Sequence, residues 1–594
     1  MSWARVILVC GLGALGCAAC PEEEVPSQQG ESASPEATLV LLHTSDLHSQ
    51  VWPFRARLSA LDAKLGLGRA GSLEELGGFA RLASVLESER QRSAALWLDS
   101  GDALEGAEVF QRLGGQLELE LLGGLGLAAL ALGNHELSLA AEDLAELLAR
   151  SAFPVLAADL TPSRRSPLLG RLGSTALLSS QGVKLGVVGL ANPSSPPDLA
   201  SPTNPWGLVV TLDLAATVQA AIDELSPHAD LLVVLSHLGL EQDRELLRAT
   251  SGVDLLLGGH QHIVTADAEW QDDCAAALLR EQRSCGPRAV PIVHSGAYGK
   301  LVSRLELSLV RSPSARFGFE IAGIKLAQLP LTASVPEHPD VLERLRELEL
   351  PPKPPLAFAP VALPRRSALG GDSALGNLTA DALRAATGAD VALLNSSALR
   401  ADLQAGLVLE PDLELVLPFA EPWFLAPLSG ASLRQGLLRG ALRAAARECV
   451  SVVQVSGLKL RIDCAACRAE SSECLELLRP QPWGDQPVLD DHVLLVSLPR
   501  YLLQEGADFE APCGGRGRQV PLAAFEAVAR HIARGASRAE GQDCVEALRR
   551  LSTSRCQSAF GAVACPIEQG RAAGLCHAWP RLLGGRDGRI QMLP

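Results

Sequence analysis

The chain of 594 residues is long enough for several domains, and its 47% hydrophobic content is ordinary for a globular protein. Its formal net charge of −16 argues against nucleic acid or acidic lipid as a bulk partner. The charge does not exclude a phosphate substrate, because bound divalent cations would dominate the local field.

The N-terminus has the features of an export signal. Residues 6–19 form an apolar stretch that is too short to span a bilayer, which needs about 20 apolar residues. We expect a signal peptide at residues 1–20 and a flexible tether at 21–37. The segment resembles bacterial lipoprotein signals, in which Cys17 or Cys20 would carry the lipid and attach the protein to a membrane. Cleavage without a lipid is the alternative, and either way we expect the periplasm or cell envelope.

Seven polar side chains follow short apolar runs in the first half of the chain. The runs are mostly aliphatic and end at turn residues, which is typical of buried strands in an α/β sheet; they cover residues 39–42, 95–98, 127–132, 231–235 and 253–257. The polar residues that follow them are Asp46, His48, Asp102, Asn134, His237, His260 and His262. Because ligands collect outside the carboxyl ends of such strands, we expect all seven at one sheet edge.

These seven side chains offer imidazole nitrogens and hard oxygen atoms, which suit Mn, Zn or Fe. One carboxylate can bridge two cations, and two metal ions about 3.5–4 Å apart are a known means of cleaving phosphoesters. The sequence therefore predicts a site for two divalent metal ions. Helical stretches such as residues 73–88 and 142–150 alternate with the strands, so residues 38–330 are expected to form one α/β domain.

The order of the motifs HTSDLH, DSGD, GNHE, LSHLG and GGHQH resembles that of the calcineurin-like metallophosphoesterases. The resemblance implies a four-layer β-sandwich with flanking helices and two metal ions that share one aspartate. The first ion would be held by Asp46, His48, Asp102 and His262, and the second by Asp102, Asn134, His237 and His260. A metal-bridged water would attack phosphorus, and His135, beside Asn134, would stabilise the phosphoryl charge or protonate the leaving group.

One position near His135 departs from the family pattern. In the nucleotidase branch, this histidine is usually oriented by an aspartate three residues further on. Here that position is Ser138, which can accept a hydrogen bond but has no charge to hold an imidazolium. We therefore expect a weakened or altered dyad.

The second half resembles the C-terminal domain of secreted 5'-nucleotidases. An amphipathic run and the segment PPKPP predict a linker helix and a proline-rich joint at 331–355. The motifs LGNLTAD, NSSALR, VLPF and PRY follow in family order, so residues 356–594 are expected to form an α/β substrate-binding domain with a Cys-rich insertion at about 540–577. The resemblance then covers nearly the whole mature chain.

The resemblance also implies a nucleotide pocket. Arg400 would grip phosphate, Asn395 would help to hold the nucleoside, and Phe419 and Tyr501 would stack on the base. Asp508 is the counterpart of a ribose-binding aspartate, displaced by one position or lost.

Two further positions depart from the family pattern in this half. Ser397 stands where the family has a glycine, and Leu369 stands where it has another arginine. Arg365 and Arg366 lie just upstream of Leu369 and could substitute for the missing arginine.

Fourteen cysteines in an exported chain indicate disulfides. The CAAC segment at residues 464–467 could be a redox motif or half of a zinc site. Because no second CxxC accompanies it, a structural disulfide is favoured, and the pairing pattern stays open.

The leading hypothesis is an exported dinuclear-metal phosphohydrolase that cleaves phosphate from nucleotides or related small-molecule phosphoesters. The same fold could act on UDP-sugars, cyclic nucleotides or a sulfate ester; the intact GNHE motif argues against the last. A metal-binding surface lipoprotein with little catalysis is the alternative from another class. The oligomeric state stays open.

Overall fold

The structure is a computed structural model that describes residues 36–192, 199, 204–272, 289–311, 318–348, 355–367, 369–417, 422–469, 471–503, 509, 517–520, 524–534 and 589–593. Several predictions lie outside the described residues. They are the signal peptide, nearly all of the tether, the PPKPP joint except its last residue, the Cys-rich insertion, Phe419 and Asp508. No helix within the described ranges combines the length and apolar character needed to cross a membrane.

The first half contains sixteen described strands and eight described α-helices. The strands are β1 Ala37–Thr44, β2 Phe54–Arg57, β3 Leu73–Leu76, β4 Leu96–Asp99, β5 Leu127–Ala131, β6 Val155–Leu156, β7 Leu160–Pro162, β8 Thr175–Ser180, β9 Val183–Leu190, β10 Leu208–Val210, β11 Leu231–Ser236, β12 Leu255–Gly258, β13 Glu269–Asp272, β14 Ala289–His294, β15 Leu301–Val310 and β16 Glu320–Pro330. The helices are α1 Ala60–Lys64, α2 Phe79–Arg92, α3 Glu108–Leu113, α4 Gln116–Gly124, α5 Ala141–Ala149, α6 Leu214–Leu225, α7 Leu240–Ala249 and α8 Pro339–Glu347.

Two six-stranded sheets form the centre of this half. The first has the order β16-β15-β1-β4-β5-β6, and the second has the order β13-β14-β12-β11-β9-β8. The strands β1, β4 and β5 run parallel, as do β9, β11, β12 and β14. The remaining strands form two small sheets, β2-β3 and β7-β10.

Alternate side chains of the central strands enter different cores, because each sheet is covered on both faces. Leu39 and Leu41 of β1 pack between the two sheets, together with residues of β9, β11 and β12. Val40 and Leu42 point the other way, into a core shared with α2, α4, α5 and α8. Helices α6 and α7 cover the outer face of the second sheet. The layers are therefore helix, sheet, sheet and helix, and the predicted four-layer fold is confirmed.

All five apolar runs that follow the sequence pattern of buried strands overlap strands of the structure. The helix expected at residues 73–88 is wrong in its first part, because Leu73–Leu76 is strand β3, paired antiparallel with β2. Gly77 and Gly78 follow with φ of 73° and 92°, a conformation that an α-helix cannot contain. Helix α2 therefore begins only at Phe79.

The second half contains eleven described strands and five described α-helices. The strands are β17 Ala357–Ala359, β18 Val391–Asn395, β19 Gly406–Val408, β20 Trp423–Ser429, β21 Val453–Ser456, β22 Lys459–Asp463, β23 Leu475–Arg479, β24 Gln486–Pro487, β25 Val493–Pro499, β26 Arg518–Val520 and β27 Ile590–Leu593. The helices are α9 Ala374–Thr387, α10 Glu410–Val416, α11 Gly430–Ala446, α12 Cys464–Arg468 and α13 Ala524–Ala533.

These elements surround a mixed sheet of the order β21-β18-β25-β20-β26 and a smaller sheet of the order β24-β23-β22-β27. Helices α9 and α13 pack on one side of the larger sheet, and α11 contributes to the core that it shares with the smaller sheet. This mixture of helices and sheets agrees with the expected α/β domain.

Two disulfides join the cysteines around the CAAC segment to different partners. Cys449 pairs with Cys464, and Cys467 pairs with Cys474. The last three of these cysteines are buried in the core of the smaller sheet. The prediction of a structural disulfide is confirmed, and the two cysteines of the motif are bonded to other cysteines rather than to each other.

The two halves touch through Arg55 and a small apolar cluster. The Arg55 guanidinium donates hydrogen bonds to the carbonyls of Ala405 (3.1 Å) and Leu407, and it lies 3.8 Å from the Asp412 carboxylate. Leu415 of the second half packs with Phe54 and other buried residues of the first. These contacts hold the loop after β18 close to the carboxyl edge of the first-half sheets.

Candidate functional site

The carboxyl ends of the parallel strands converge, and the seven predicted ligands lie just beyond them. Asp46 and His48 follow β1, Asp102 follows β4, Asn134 follows β5, His237 follows β11, and His260 and His262 follow β12. All except Asn134, His260 and His262 are buried, and those three are partly buried. The side chains meet because the ends of the two sheets face the same region.

Backbone strain is concentrated at this site. Eight of the eleven described non-glycine residues with positive φ lie in the loops at this sheet edge, which include the loop after β14: Asp46, His48, Ser49, Asp102, Glu105, His260, His262 and Tyr298. L-residues adopt this conformation at a cost, and such residues cluster where function requires an unusual backbone. The strained loops direct the side chains inward.

Asp46, His48 and His262 form the first group of candidate ligands. One donor atom from each lies within 4.8 Å of the others. The Nε2 atoms of His48 and His262 are 3.1 Å apart, and the His262 Nε2 is 3.4 Å from the Asp46 Oδ1. Two imidazole nitrogens and a carboxylate oxygen in this arrangement are suited to one transition-metal ion.

Asp102, His237 and His260 form the second group, again within 4.8 Å. The His237 Nε2 lies 2.9 Å from the Asp102 Oδ2, and the His260 Nδ1 lies 3.1 Å from the Asn134 Oδ1. Asp102 also lies 3.9 Å from the His48 Nε2 of the first group. The Asp102 carboxylate therefore stands between the two groups.

The partners of the outer histidine nitrogens fit a metal site. The His237 Nδ1 donates to the Ser100 carbonyl at 2.6 Å, and the His48 Nδ1 donates to the Glu105 carbonyl at 3.1 Å. Each ring thus turns its Nε2 lone pair inward, as backbone carbonyls commonly arrange for ligating histidines. The buried His237 Nε2 has no partner with hydrogen-bond geometry among the described residues, despite its closeness to Asp102.

Electrostatics keep the imidazoles of the first group neutral. Burial, followed by the charge of His135, lowers the pKa of His48 to about 3. Burial, followed by the charge of His48, also lowers the pKa of His262 well below its ordinary value. A neutral imidazole has a free lone pair, which a metal ion requires.

Glu136, which sequence reasoning did not select, ties the loops of the site together. Its carboxylate accepts from the backbone N–H groups of Gly133 (2.7 Å), Leu104 (3.1 Å) and Asp102 (3.2 Å). Gly133 itself is required for close approach, because a Cβ there would lie 2.2 Å from the Asp102 nitrogen. The GNHE motif thus contributes a candidate ligand and also a brace for Asp102.

His135 has a carboxylate partner other than the one that the family pattern suggested. Its Nδ1 lies 2.6 Å from the Glu105 Oε2, whereas Ser138 is exposed. Burial alone would lower the pKa of His135, but Asp102 and then the hydrogen bond to Glu105 raise it to about 9. Glu105 lies 30 positions upstream of His135, and no sequence periodicity connects the two residues.

The predicted substrate residues that the structure describes line one cavity of about 770 Å³. Asn395 ends strand β18, and its amide donates to the Ser397 hydroxyl at 2.8 Å. Arg400 and Tyr501 also line the cavity, and Tyr501 is half exposed. Phe419 and Asp508 lie outside the described residues, so their roles stay predictions.

The structure places both arginines that precede residue 369 at the cavity, and their substitution for the missing arginine stays a prediction. Leu369 is 71% exposed, whereas Arg365 and Arg366 both line the cavity. The Arg365 guanidinium donates to the carbonyls of Leu399 (3.2 Å) and Arg400 (2.7 Å). Arg365 therefore supports the loop that carries Arg400.

Arg400 links the cavity to the candidate metal ligands. The pKa values of His48, His260 and His262 are lowered mainly by burial and by charges other than that of Arg400. The positive charge of Arg400 lowers all three pKa values further. It also acts on Tyr298, whose ring lies 5.2 Å from that of His262. Arg400, which lines the cavity, is therefore close enough to the candidate ligands for its charge to act on them.

Comparison with known proteins identifies both halves. Residues 39–264 match the model of the calcineurin-like phosphoesterases, and residues 355–510 match that of the 5'-nucleotidase C-terminal domain. Together the two matches cover more than half of the chain. The chain belongs to the 5'-nucleotidase family of calcineurin-like metallophosphoesterases. Membership makes it a metal-dependent phosphoric ester hydrolase of the 5'-nucleotidase type.

Relatives of this family cover different shares of the chain. The 5'-nucleotidase of Bos taurus is 25% identical over 80% of this chain and 84% of its own length. That of Diplobatis ommata is 30% identical over 277 residues, which are 46% of each protein. The chain thus spans about half the length of the Diplobatis ommata protein and most of the length of the Bos taurus protein.

Solved structures show the same fold. A 5'-nucleotidase precursor from Thermus thermophilus has a TM-score of 0.68 and 23% identity, covering 94% of this chain and 99% of its own. A sulfate thiohydrolase from the same genus has a TM-score of 0.64 and 20% identity, covering 83% and 94%. Because both likenesses are in fold alone, the fold does not choose between these substrates.

Proposed function

We propose that this 5'-nucleotidase family member is an exported phosphohydrolase that uses two metal ions to release phosphate from nucleotides. The observation that carries the proposal is the position of Arg400. It belongs to the cavity of the second half, and its charge acts on candidate metal ligands of the first half. A phosphate bound by this guanidinium would lie next to the ligand groups.

The donor set supports two ions. Asp46, His48, Asp102 and His262 would hold one, and Asp102, Asn134, His237 and His260 would hold the other. When bound, such ions supply Lewis-acid polarisation of the phosphoryl group and a more acidic water. Imidazole and oxygen donors without thiolate suit Mn, Zn or Fe.

The side chains of the protein provide binding and proton transfer in this proposal. Arg400 orients the phosphoryl group through its paired N–H donors. Asn395 and Tyr501 hold the nucleoside, with Tyr501 stacking on the base. The His135 Nε2 faces the ligand groups and supplies a proton to the departing alcohol oxygen.

Export and the arrangement of domains are part of the same proposal. The pairs Cys449–Cys464 and Cys467–Cys474 support an oxidising compartment, since structural disulfides are rare in the cytosol. We retain a signal peptide at 1–20, with a lipid on Cys17 or Cys20, and a division between metal and substrate domains within 331–355.

Phosphate release by the purified mature chain tests the proposal. AMP and ribose 5-phosphate would be compared in the presence of Mn²⁺ and again after treatment with EDTA. UDP-glucose, with a coupled phosphatase, and 2',3'-cyclic AMP would complete the set. Ribose 5-phosphate is the matched control because it keeps the scissile ester and lacks the base.

We expect turnover of AMP that EDTA abolishes and that exceeds turnover of ribose 5-phosphate in kcat/KM. Equal rates on the two esters would contradict nucleotide recognition and leave a general phosphatase. No metal-dependent turnover of any substrate by protein that binds metal would contradict the hydrolase itself. In that case, the metal-binding lipoprotein would be the better account.

A further inference from the structure

The ring of His135 is held by a carboxylate at one nitrogen, and its other nitrogen faces Asp102. Its Nδ1 lies 2.6 Å from the Glu105 Oε2, and its Nε2 lies 3.9 Å from the Asp102 Oδ2. A carboxylate at Nδ1 fixes the proton on that nitrogen and sets the orientation of the ring. The opposite nitrogen is thereby directed toward the ligand groups.

Glu105 is itself rigidly held. It follows β4 in the strained loop, with a φ of 61°. Its carbonyl accepts from the His48 Nδ1 at 3.1 Å, and its side chain is only 12% exposed. The neighbouring Leu104 nitrogen is bonded to the Glu136 carboxylate. One residue therefore contacts a candidate metal ligand through its backbone and the candidate proton donor through its side chain.

The nearest sequence candidate for this role cannot supply a charge. Ser138 lies three residues after His135 in the short 3-10 helix Glu136–Ser138, and its backbone nitrogen donates to the His135 carbonyl at 3.1 Å. Its hydroxyl is neutral at every relevant pH. The structure instead brings a carboxylate to His135 from a different strand end.

We propose that Glu105 is the positioning residue for His135 and takes the role that the family pattern gives to an acid at position 138. This inference rests on the proposed hydrolase function. As the phosphorus–oxygen bond breaks, the His135 Nε2–H gives its proton to the leaving alkoxide, which departs as the alcohol. Water supplies the new oxygen on phosphorus and releases a proton to solvent, and the imidazole takes a proton back from solvent.

Variants at positions 105 and 138 test the inference. Glu105→Gln keeps the shape of the side chain and removes its charge, and Glu105→Ala removes the contact. Ser138→Asp in the Glu105→Ala background returns a carboxylate to the neighbouring turn. Glu142→Gln, at an exposed residue of α5, is the matched control.

Two substrates distinguish a loss of His135 positioning from a general loss of active-site structure. The leaving group of AMP is the adenosine 5'-alkoxide, which is a poor leaving group and needs a proton. The leaving group of p-nitrophenyl phosphate is p-nitrophenolate, which is stable without one. General acid catalysis typically contributes about 10²–10⁴-fold, so we expect Glu105→Gln to lower kcat for AMP by about 10–100-fold. We expect less than about a threefold change for p-nitrophenyl phosphate. Bound metal, measured by elemental analysis, should be unchanged.

The double variant supplies the rescue. The kcat of Glu105→Ala/Ser138→Asp for AMP should be at least about tenfold higher than that of Glu105→Ala. In the metal-free protein, the proton resonance of the His135 Nδ1–H should move upfield in Glu105→Ala, since a hydrogen bond to a carboxylate shifts it far downfield. This readout does not depend on turnover.

The inference is overturned if Glu105→Gln has the kcat of the wild type, or if both substrates lose activity equally. Loss of bound metal in Glu105→Gln would also overturn it, because the residue would then act on the metal site. If the wild type hydrolyses AMP and Glu105→Gln does so equally well, this inference alone is wrong. A wild type without metal-dependent turnover removes the proposed function as well.

Discussion

The metal-ligand groups and the substrate cavity are built in different ways. In the first half, the candidate ligands follow buried parallel strands, and their outer nitrogens are tied to backbone carbonyls such as those of Ser100 and Glu105. In the second half, the cavity is lined by residues of strands, a helix and turns, and one of them, Tyr501, is half exposed. We infer that the chemistry is fixed by rigid strand ends, whereas substrate choice rests in part on exposed side chains such as Tyr501, which can change without disturbing a core.

The two regions also depend on each other. Arg365 braces the loop of Arg400, and Arg55 of the first half holds the following segment through carbonyl hydrogen bonds. An arginine of the substrate cavity can therefore act at the metal-ligand groups only when the halves are in contact.

The largest effect is expected at the carboxylate between the two ligand groups. Asp102→Ala should remove bound metal and reduce turnover of AMP below detection, because Asp102 lies between the two groups and is proposed to ligate both ions. Elemental analysis and phosphate release measure the two effects. Asp254→Asn, at a buried carboxylate just before β12 and thus at the opposite end of that strand, should keep its metal. Full activity in Asp102→Ala would remove the two-metal account.

The disulfides should stabilise the second half without affecting the metal groups. They close short loops, with sequence separations of 15 and 7 residues. Replacing the pair Cys467 and Cys474 by alanine should cost about 2–3 kcal/mol in the free energy of unfolding, mainly through the entropy of the unfolded chain. Denaturant unfolding measures the loss. Reduced metal content in this variant would show that the smaller sheet also supports the metal-ligand groups.

Arg400→Ala should lower kcat/KM for AMP while leaving bound metal unchanged. A charged hydrogen bond is worth about 1.5–3 kcal/mol, which corresponds to about 10–150-fold. Arg400→Lys should recover part of the loss, since a single ammonium cannot form the paired contact. Arg461→Ala, at an exposed arginine of β22, is the control. An unchanged kcat/KM in Arg400→Ala would show that this residue of the cavity does not bind the reacting phosphate.

The smallest effect is expected at the base. Tyr501→Ala should raise KM for AMP with little change in kcat, because the ring is proposed to stack on the base and not to contact the phosphoryl group. Stacking gives about 1–3 kcal/mol per base, and the half-exposed ring should lie at the lower end. The same variant should leave KM for ribose 5-phosphate unchanged. A parallel rise for both substrates would show a structural role instead.

The sequence predicted the strand ends well because an apolar run followed by polar turn residues is a local pattern. The same reasoning failed at Leu73–Leu76, where two glycines with positive φ separate a strand from the helix. Glu105 and Glu136 were not predicted, because their roles depend on contacts between different strand ends. The pairing of Cys464 with Cys449 was also out of reach, since spacing alone does not give distances.

Diffraction from crystals grown with Mn²⁺ and a non-hydrolysable AMP phosphonate would test the central claim most directly. We predict two anomalous peaks about 3.5–4 Å apart on either side of the Asp102 carboxylate. The phosphonate should lie within hydrogen-bond distance of Arg400. A single peak, or a phosphonate bound away from Arg400, would contradict the account of one site shared by both halves.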